Sequence, residues 1–186
     1  MTRIQNHNKI LWLTTTAALI ALLVALQWIT SGTQAFAGQY ITGSCVNAVL
    51  AVAALFGGIY SGAVVALLSP FCAFLLGIGP QLIQIVPAIA AGNLAFVLAL
   101  RLLIGKGSAP AWKQVISLVA AAALKCAVLF LLVNKCIVPL MGDALKPKQV
   151  AAFAAMFSWP QMVTALIGGT LALVIVPVLK KALKKN

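Results

Sequence analysis

Residues 112–138 read WKQVISLVAAAALKCAVLFLLVNKCIV, and this stretch decides the class of fold. Between Lys113 and Lys135 its only charged residue is Lys125. A helix needs about 20 predominantly apolar residues to cross the hydrocarbon core of a bilayer, and this segment is longer than that. It therefore predicts a transmembrane helix that carries one lysine near its middle.

The rest of the chain repeats this apolar pattern with short interruptions. Of the 186 residues, 63% are hydrophobic and 8% are charged, whereas a soluble domain carries about 25% charged residues. We therefore predict a single domain over residues 1–186, an all-α integral membrane protein with six transmembrane helices. The six segments cover about residues 10–29, 44–60, 61–77, 82–104, 112–138 and 159–179.

The connections between these segments differ in character. The second and third segments meet at Gly57-Gly58 and Ser61-Gly62, which predicts a tight turn. An uncharged loop is expected over residues 30–43, and a short turn over residues 77–81. Within the last connection, residues 139–158, the apolar stretch 150–157 predicts a short helix on the membrane surface.

The positions of lysine and arginine predict the orientation, because cytoplasmic loops carry more of them. With the N-terminus inside, nine fall on the cytoplasmic side and three outside, while Lys125 lies within a helix. Both termini are therefore expected in the cytoplasm. The nine are Arg3, Lys9, Arg101, Lys106, Lys113, Lys180, Lys181, Lys184 and Lys185, and the three are Lys135, Lys146 and Lys148.

The inventory of reactive side chains excludes several kinds of function. The net charge of +12 comes from basic residues that flank apolar segments, which indicates membrane topology rather than nucleic-acid binding. Asp143 and His7 are the only acidic residue and the only histidine, so paired-carboxylate and Ser-His-Asp chemistry lack their parts. The four cysteines have no CxxC spacing. We expect no catalytic residue, no metal site and no enzyme.

Lys125 is the most informative single residue. A lysine at the centre of a bilayer costs about 2.5–3.5 kcal/mol on insertion scales, so it is expected to face a polar interior. At about 1.5 Å per residue, Lys125 lies ~15 Å from Lys135, and Asn93 lies ~16 Å from the outer start of the fourth segment. The two side chains thus reach a similar depth on neighbouring helices. Either the lysine snorkels or makes a structural interhelical hydrogen bond, or the pair faces a ligand.

Further polar and aromatic side chains collect in the outer half of the bundle. Such a set predicts a pocket for a small polar organic molecule that opens to the outside. With Lys125 and no carboxylate inside the bundle, the pocket would favour an anionic or acceptor-rich molecule. Trp159 could instead belong to an interfacial aromatic belt. Besides Asn93 and Lys125, the candidate site residues are Tyr40, Asn47, Gln84, Trp159 and Gln161.

The first segment carries a stripe of small residues. Ala17, Ala21 and Ala25 recur every four residues and therefore share one helix face. Because small side chains let membrane helices approach closely, the stripe predicts either packing within the chain or docking of a partner.

These features together resemble the substrate-binding (S) components of energy-coupling factor (ECF) vitamin transporters. The stretch ALFGGIYSGA at 54–63, through Ser69-Pro70, is similar to the family's second and third helices. The resemblance implies an S-component bundle in the plasma membrane of a prokaryote, with a binding site built from the outer loops and helices four to six. It also implies capture of a vitamin or related micronutrient from outside.

The resemblance further implies partners. The alanine stripe Ala17, Ala21 and Ala25 would dock on a membrane coupling subunit that is driven by two cytosolic ATPases. Since the chain has no GxxxxGK[ST] motif, ATP would be used by those partners and this chain would bind no cofactor.

The residues are compatible with several substrates and functions. The substrate candidates are pantothenate, nicotinate and a folate-like compound. The alternative functions are a stand-alone secondary carrier or channel for a small polar solute, and a non-transport membrane subunit. A proton-driven carrier typically has a coupling carboxylate, and none lies in the six segments.

Overall fold

A computed structural model describes residues 3–31, 35–105 and 109–183, and all regular structure within these ranges is helical. Residues 32–34 of the expected loop, and Lys106, Lys184 and Lys185 of the topology pattern, lie outside the described residues. The helices are α1 (Arg3–Ser31), α2 (Ala35–Val52), α3 (Ile59–Leu75), α4 (Val86–Ile104), α5 (Ala111–Leu129), α6 (Val138–Met141), α7 (Pro147–Met156) and α8 (Trp159–Leu183).

Six membrane segments fit this architecture. Within the described ranges, five helical spans are long and apolar enough to cross a bilayer, and α3 is a shorter apolar helix. A π-helical turn, Ala53–Gly57, extends α2, and a second one, Phe130–Ile137, joins α5 to α6. The 17 residues of α3 correspond to about 25 Å of helix, less than a hydrocarbon core of about 30 Å. The loop after α3 thereby has room to fold back towards the bundle.

The expected loop over residues 30–43 is wrong for most of its length. Helix α1 continues to Ser31 and α2 already begins at Ala35. Residues 35–43 contain no proline and no charge that would interrupt a helix. In an apolar environment a helix satisfies the backbone hydrogen bonds that a loop would leave open. Tyr40 consequently lies on α2 and not in a loop.

Glycines shape the two short connections. Gly58, with φ 91°, alone separates the π-helical turn from α3, which confirms the tight turn. After α3, Gly77 (φ 70°) and Gly79 (φ 81°) flank Ile78. The backbone N–H of Ile78 donates to the Ala73 carbonyl at 2.9 Å, and its side chain is buried. This turn therefore folds back onto the bundle.

The expected short helix near residue 150 is confirmed as α7, which begins three residues earlier. Pro147 occupies its first turn, where the missing N–H costs nothing. The side chain of Gln149 accepts a hydrogen bond from the Lys146 backbone N–H at 3.0 Å. Asp143 lies just before this helix, in the 3-10 turn Gly142–Ala144.

The apolar core is divided unequally between the two ends of the bundle. The larger cluster extends towards the end that carries both chain termini and includes Leu50, Phe96, Leu100, Leu118 and Val176. A smaller cluster packs beneath α7 at the opposite end and includes Ile85, Leu129, Val133, Phe153 and Phe157. The buried polar side chains of the candidate site adjoin this second end.

Candidate substrate-binding site

Helix α5 places Lys125 in the interior of the bundle, where its side chain is 3% exposed. The ammonium donates hydrogen bonds to Oδ1 of Asn47 at 2.6 Å and to Oδ1 of Asn93 at 2.7 Å. Asn47 comes from α2 and Asn93 from α4, and both are buried. The lysine therefore does not snorkel but makes interhelical hydrogen bonds, one of them to Asn93, which was expected at the same depth. Contact of the lysine with a ligand stays a prediction.

The amide of Asn47 links this group to α8. Its Nδ2 donates to Oγ1 of Thr164 at 3.2 Å, and the Thr164 hydroxyl donates to the Gln161 carbonyl at 3.1 Å. Nζ of Lys125 also lies 5.8 Å from the centre of the Phe96 ring, within cation–π range. Amide oxygens are good acceptors for an ammonium, but they bring no negative charge.

A cavity adjoins the ammonium. Its volume is about 150 Å³, and a wider recess of about 370 Å³ shares Gln39, Thr42 and Gly43 with its lining. The lining residues lie towards the C-terminal ends of α1, α3 and α5 and the N-terminal ends of α2, α4 and α8. The cavity is therefore at the end of the bundle opposite the two chain termini. Among the described residues that line it, none is acidic.

Four of the residues predicted for the site line this cavity: Asn47, Asn93, Lys125 and Gln161. The Gln161 side chain donates from Nε2 to the Met156 carbonyl at 3.0 Å, and Gln39 on α2 donates to the same carbonyl at 3.0 Å. These bonds tie the junction of α7 and α8 to α2 beside the mouth of the cavity.

Three other predicted residues do not line the cavity. Gln84 is exposed in the 3-10 turn before α4. Trp159 is 62% exposed, and its ring lies 6.2 Å from that of Tyr40, centre to centre. Residues two positions apart on an α-helix lie about 200° apart around its axis. Trp159 therefore points away from the cavity that Gln161 faces. The sequence placed these residues at the correct end of the bundle without resolving which face they occupy.

Comparison with known families gives a match to ECF transporter, substrate-specific component, over residues 13–180. That span includes every residue that lines the cavity. The chain belongs to this family. Neither curated proteins nor solved structures give a match.

Sequence reasoning missed four polar residues of this S component's cavity, namely Gln27, Gln39, Thr42 and Ser69. Gln27 on α1 and Ser69 on α3 both line it, and both are buried. Each interrupts an apolar run, which is the signal that could have identified them. Gln27 and Ser69 lie on α1 and α3, outside the outer loops and helices four to six to which the resemblance assigned the site.

The alanine stripe of this S component lies on its surface. Ala17, Ala21 and Ala25 are all exposed, whereas Thr16 and Leu23 on the same helix are buried. Packing within the chain therefore does not account for the stripe, and its docking role stays a prediction.

The side chains around the cavity can bind polar groups but offer no metal cluster. Within the described ranges, no three His, Cys, Asp or Glu residues group together, and the four cysteines are free thiols. Three exposed lysines, Lys135, Lys146 and Lys148, lie at the cavity end of the bundle. The charge around the site is consequently positive.

Proposed function

We propose that this S component captures an anionic or acceptor-rich vitamin, or a related micronutrient, from outside the cell. The observation that carries the proposal is the buried ammonium of Lys125, which adjoins a cavity without an acidic residue in its described lining. An ammonium has three N–H donors, and two of them reach Asn47 and Asn93. The third is available to a ligand, whose negative charge would compensate that of the lysine.

Transport in this proposal requires partners. The coupling subunit docks on the exposed face formed by Ala17, Ala21 and Ala25, and two cytosolic ATPases supply the energy. The family membership supports an ECF module as the partner. With both termini in the cytoplasm of a prokaryotic cell, the cavity opens to the exterior.

The substrate class is tested by equilibrium binding to the purified full chain in nanodiscs. The probes are pantothenate, nicotinate and folate as anions, panthenol as the neutral counterpart of pantothenate, and thiamine as a cation. We expect one anion to bind at nanomolar to micromolar affinity, and Lys125→Met to weaken it at least tenfold, equivalent to ~1.4 kcal/mol. Lys135→Met is the matched control, because Lys135 is exposed on the continuation of the same helix. Unchanged affinity in Lys125→Met would contradict the proposal.

Transport with and without partners separates this function from a stand-alone carrier. Vesicles that contain the S component alone should bind the substrate without accumulating it. Vesicles that also contain the coupling subunit and both ATPases should accumulate it when ATP is present. Accumulation by the S component alone would favour the carrier.

A further inference from the structure

Two buried polar atoms on the α1 and α3 side of the cavity have no hydrogen-bond partner among the described residues. They are Oε1 of Gln27 and Oγ of Ser69. Gln27 is 7% exposed and Ser69 is 1% exposed. Both side chains belong to the lining of the same cavity that Lys125 adjoins.

The register of α1 and α3 places these two groups at similar heights. Thr16 and Ser61 share a hydrogen bond of 2.9 Å between their hydroxyl oxygens, and the two helices run in the same direction. Measured from that bond, Gln27 lies ~16 Å along α1 and Ser69 lies ~12 Å along α3. The difference is less than one helical turn, so both side chains line the cavity at a similar depth.

Buried polar atoms that line a cavity without a partner indicate a ligand that supplies the missing hydrogen bond. Burying a polar group without a hydrogen bond is costly, and native proteins contain few such groups. Oγ of Ser44 is also buried without a partner in the described part of the chain, yet Ser44 does not line the cavity. It provides an internal comparison for the two cavity atoms.

We infer that Gln27 and Ser69 form a second, uncharged subsite that binds a hydroxyl or amide N–H of the substrate. The Gln27 oxygen can only accept a hydrogen bond, while the Ser69 hydroxyl can accept or donate. This inference rests on the proposed function, which assigns the anionic end of the same molecule to Lys125. The substrate class becomes a compact carboxylate that carries a hydrogen-bond donor at its far end.

The chemistry of the two ends of the ligand narrows the choice of probe. The cavity of about 150 Å³ adjoins the wider recess of about 370 Å³, and both are open to a ligand at this end of the bundle. Nicotinate carries no hydrogen-bond donor opposite its carboxylate. Pantothenate has a carboxylate at one end and hydroxyls at the other, so it is the probe that tests both subsites together.

The experiment compares matched ligands on matched variants of the full chain in nanodiscs. The ligands are pantothenate and N-(3,3-dimethylbutanoyl)-β-alanine, which has the same skeleton without the two hydroxyls. The variants are Gln27→Leu and Ser69→Ala, with Ser44→Ala as the control. We expect the wild type to prefer pantothenate about tenfold. Each cavity variant should lose most of that preference without a loss of affinity for the dideoxy analogue. Ser44→Ala should keep the preference of the wild type.

Thermal unfolding of the ligand-free variants provides the structural check. Because each cavity substitution removes a polar atom without a partner, the melting temperature should stay the same or rise. If Gln27→Leu fails to fold, the smaller substitution Ser69→Ala decides the question, and a preference for pantothenate that Ser69→Ala retains overturns the subsite.

The possible failures are distinguishable. Equal binding of pantothenate and its dideoxy analogue overturns the subsite and leaves the proposed function intact. Binding of nicotinate or folate but not pantothenate likewise overturns the subsite and leaves the proposed function intact. Binding of no anion at all overturns the subsite together with the proposed substrate class.

Discussion

Lys125 differs from the other described lysines in its surroundings. Lys135 on the same continuous helical segment is exposed, and its Nζ lies 5.6 Å from the centre of the Phe130 ring. Lys125 is buried and bound by two neutral amides. Since neither amide neutralises it, the positive charge can attract an anionic substrate into the cavity.

Asn93→Asp tests whether the charge of Lys125, which no neighbouring group neutralises, attracts the substrate. The substitution replaces a neutral group with a carboxylate at the position whose Oδ1 is 2.7 Å from Nζ. The new charge would act as an internal counter-ion for Lys125 and would repel an anionic substrate. We expect anion affinity to fall at least tenfold, or ~1.4 kcal/mol, with no loss of thermal stability.

Gln84→Glu is the control for Asn93→Asp. It adds the same charge at the same end of the bundle, but on an exposed side chain outside the cavity. Its anion affinity should stay within about twofold of the wild type, because exposed charges are screened. Equal losses of anion affinity in the two variants would mean that the overall charge at this end of the bundle governs binding, and not the charge directly beside Lys125.

From the sequence, the depth of a side chain in the bundle could be predicted better than the direction in which it points. A rise of about 1.5 Å per residue brings Asn93 and Lys125 to the same level, and the structure joins them by a hydrogen bond. The same arithmetic does not say which way a side chain points once the helix is rotated. Trp159 therefore faces away from the cavity, while Gln27 and Ser69 face into it.

At the scale of helices, the site depends on the close approach of α2 and α8. A Cβ added at Gly168 would overlap the Ser44 carbonyl oxygen and lie 2.6 Å from the Ala48 backbone nitrogen. Backbone atoms cannot move aside, so only glycine permits this contact. The contact holds Asn47 beside Thr164, which in turn sets the position of the oxygen that binds Lys125.

Gly168→Ala should therefore lower the thermal stability of the S component, with a cost of about 1–3 kcal/mol or more. Gly169→Ala is the matched comparison, because its added Cβ would chiefly meet the end of the flexible Leu118 side chain. We expect a larger fall in the melting temperature for Gly168→Ala. Equal falls would show that the approach of α2 and α8 is not limited by their backbones.

The exposed alanine face of α1 gives a second prediction at this scale. Ala21→Trp should abolish uptake by the complete transporter while leaving substrate binding by the isolated S component unchanged. The reason is that a large side chain would separate α1 from the coupling subunit. Uptake in vesicles and binding in nanodiscs measure the two effects.

Ala120→Trp is the control for Ala21→Trp, because Ala120 is an exposed alanine on α5. It should preserve both uptake and binding. Retained uptake in Ala21→Trp would show that the alanine stripe is not part of the docking surface.

Helix boundaries were predictable where the chain supplies a stop signal. Gly58 ends one helix and begins the next within a single residue, as the paired glycines indicate. Residues 35–43 contain no paired glycines and no proline, so the loop predicted for them is wrong. The bilayer favours the helix there, because it leaves fewer backbone groups without partners.

Across the whole molecule, the two ends of the bundle are built differently. The end that carries the termini is closed by the larger apolar cluster, and the cavity is at the other end. Among the described residues, the polar cavity and the larger apolar cluster therefore lie at opposite ends of the bundle.

Single cysteines in intact cells test the orientation of this asymmetric bundle. With the four native cysteines replaced by alanine, a membrane-impermeant thiol reagent should label Lys148→Cys and leave Lys181→Cys unlabelled. Both side chains are exposed, so protection by burial does not confuse the result. Permeabilised cells should label both variants. The reverse pattern in intact cells would place the cavity towards the cytoplasm and contradict import from outside.

Mass spectrometry of the small molecule that remains bound through purification tests the central claim most directly. We expect a carboxylated or otherwise acceptor-rich micronutrient that accompanies the wild-type S component and is absent from Lys125→Met. A cationic molecule, or the same molecule at equal occupancy in Lys125→Met, would contradict it.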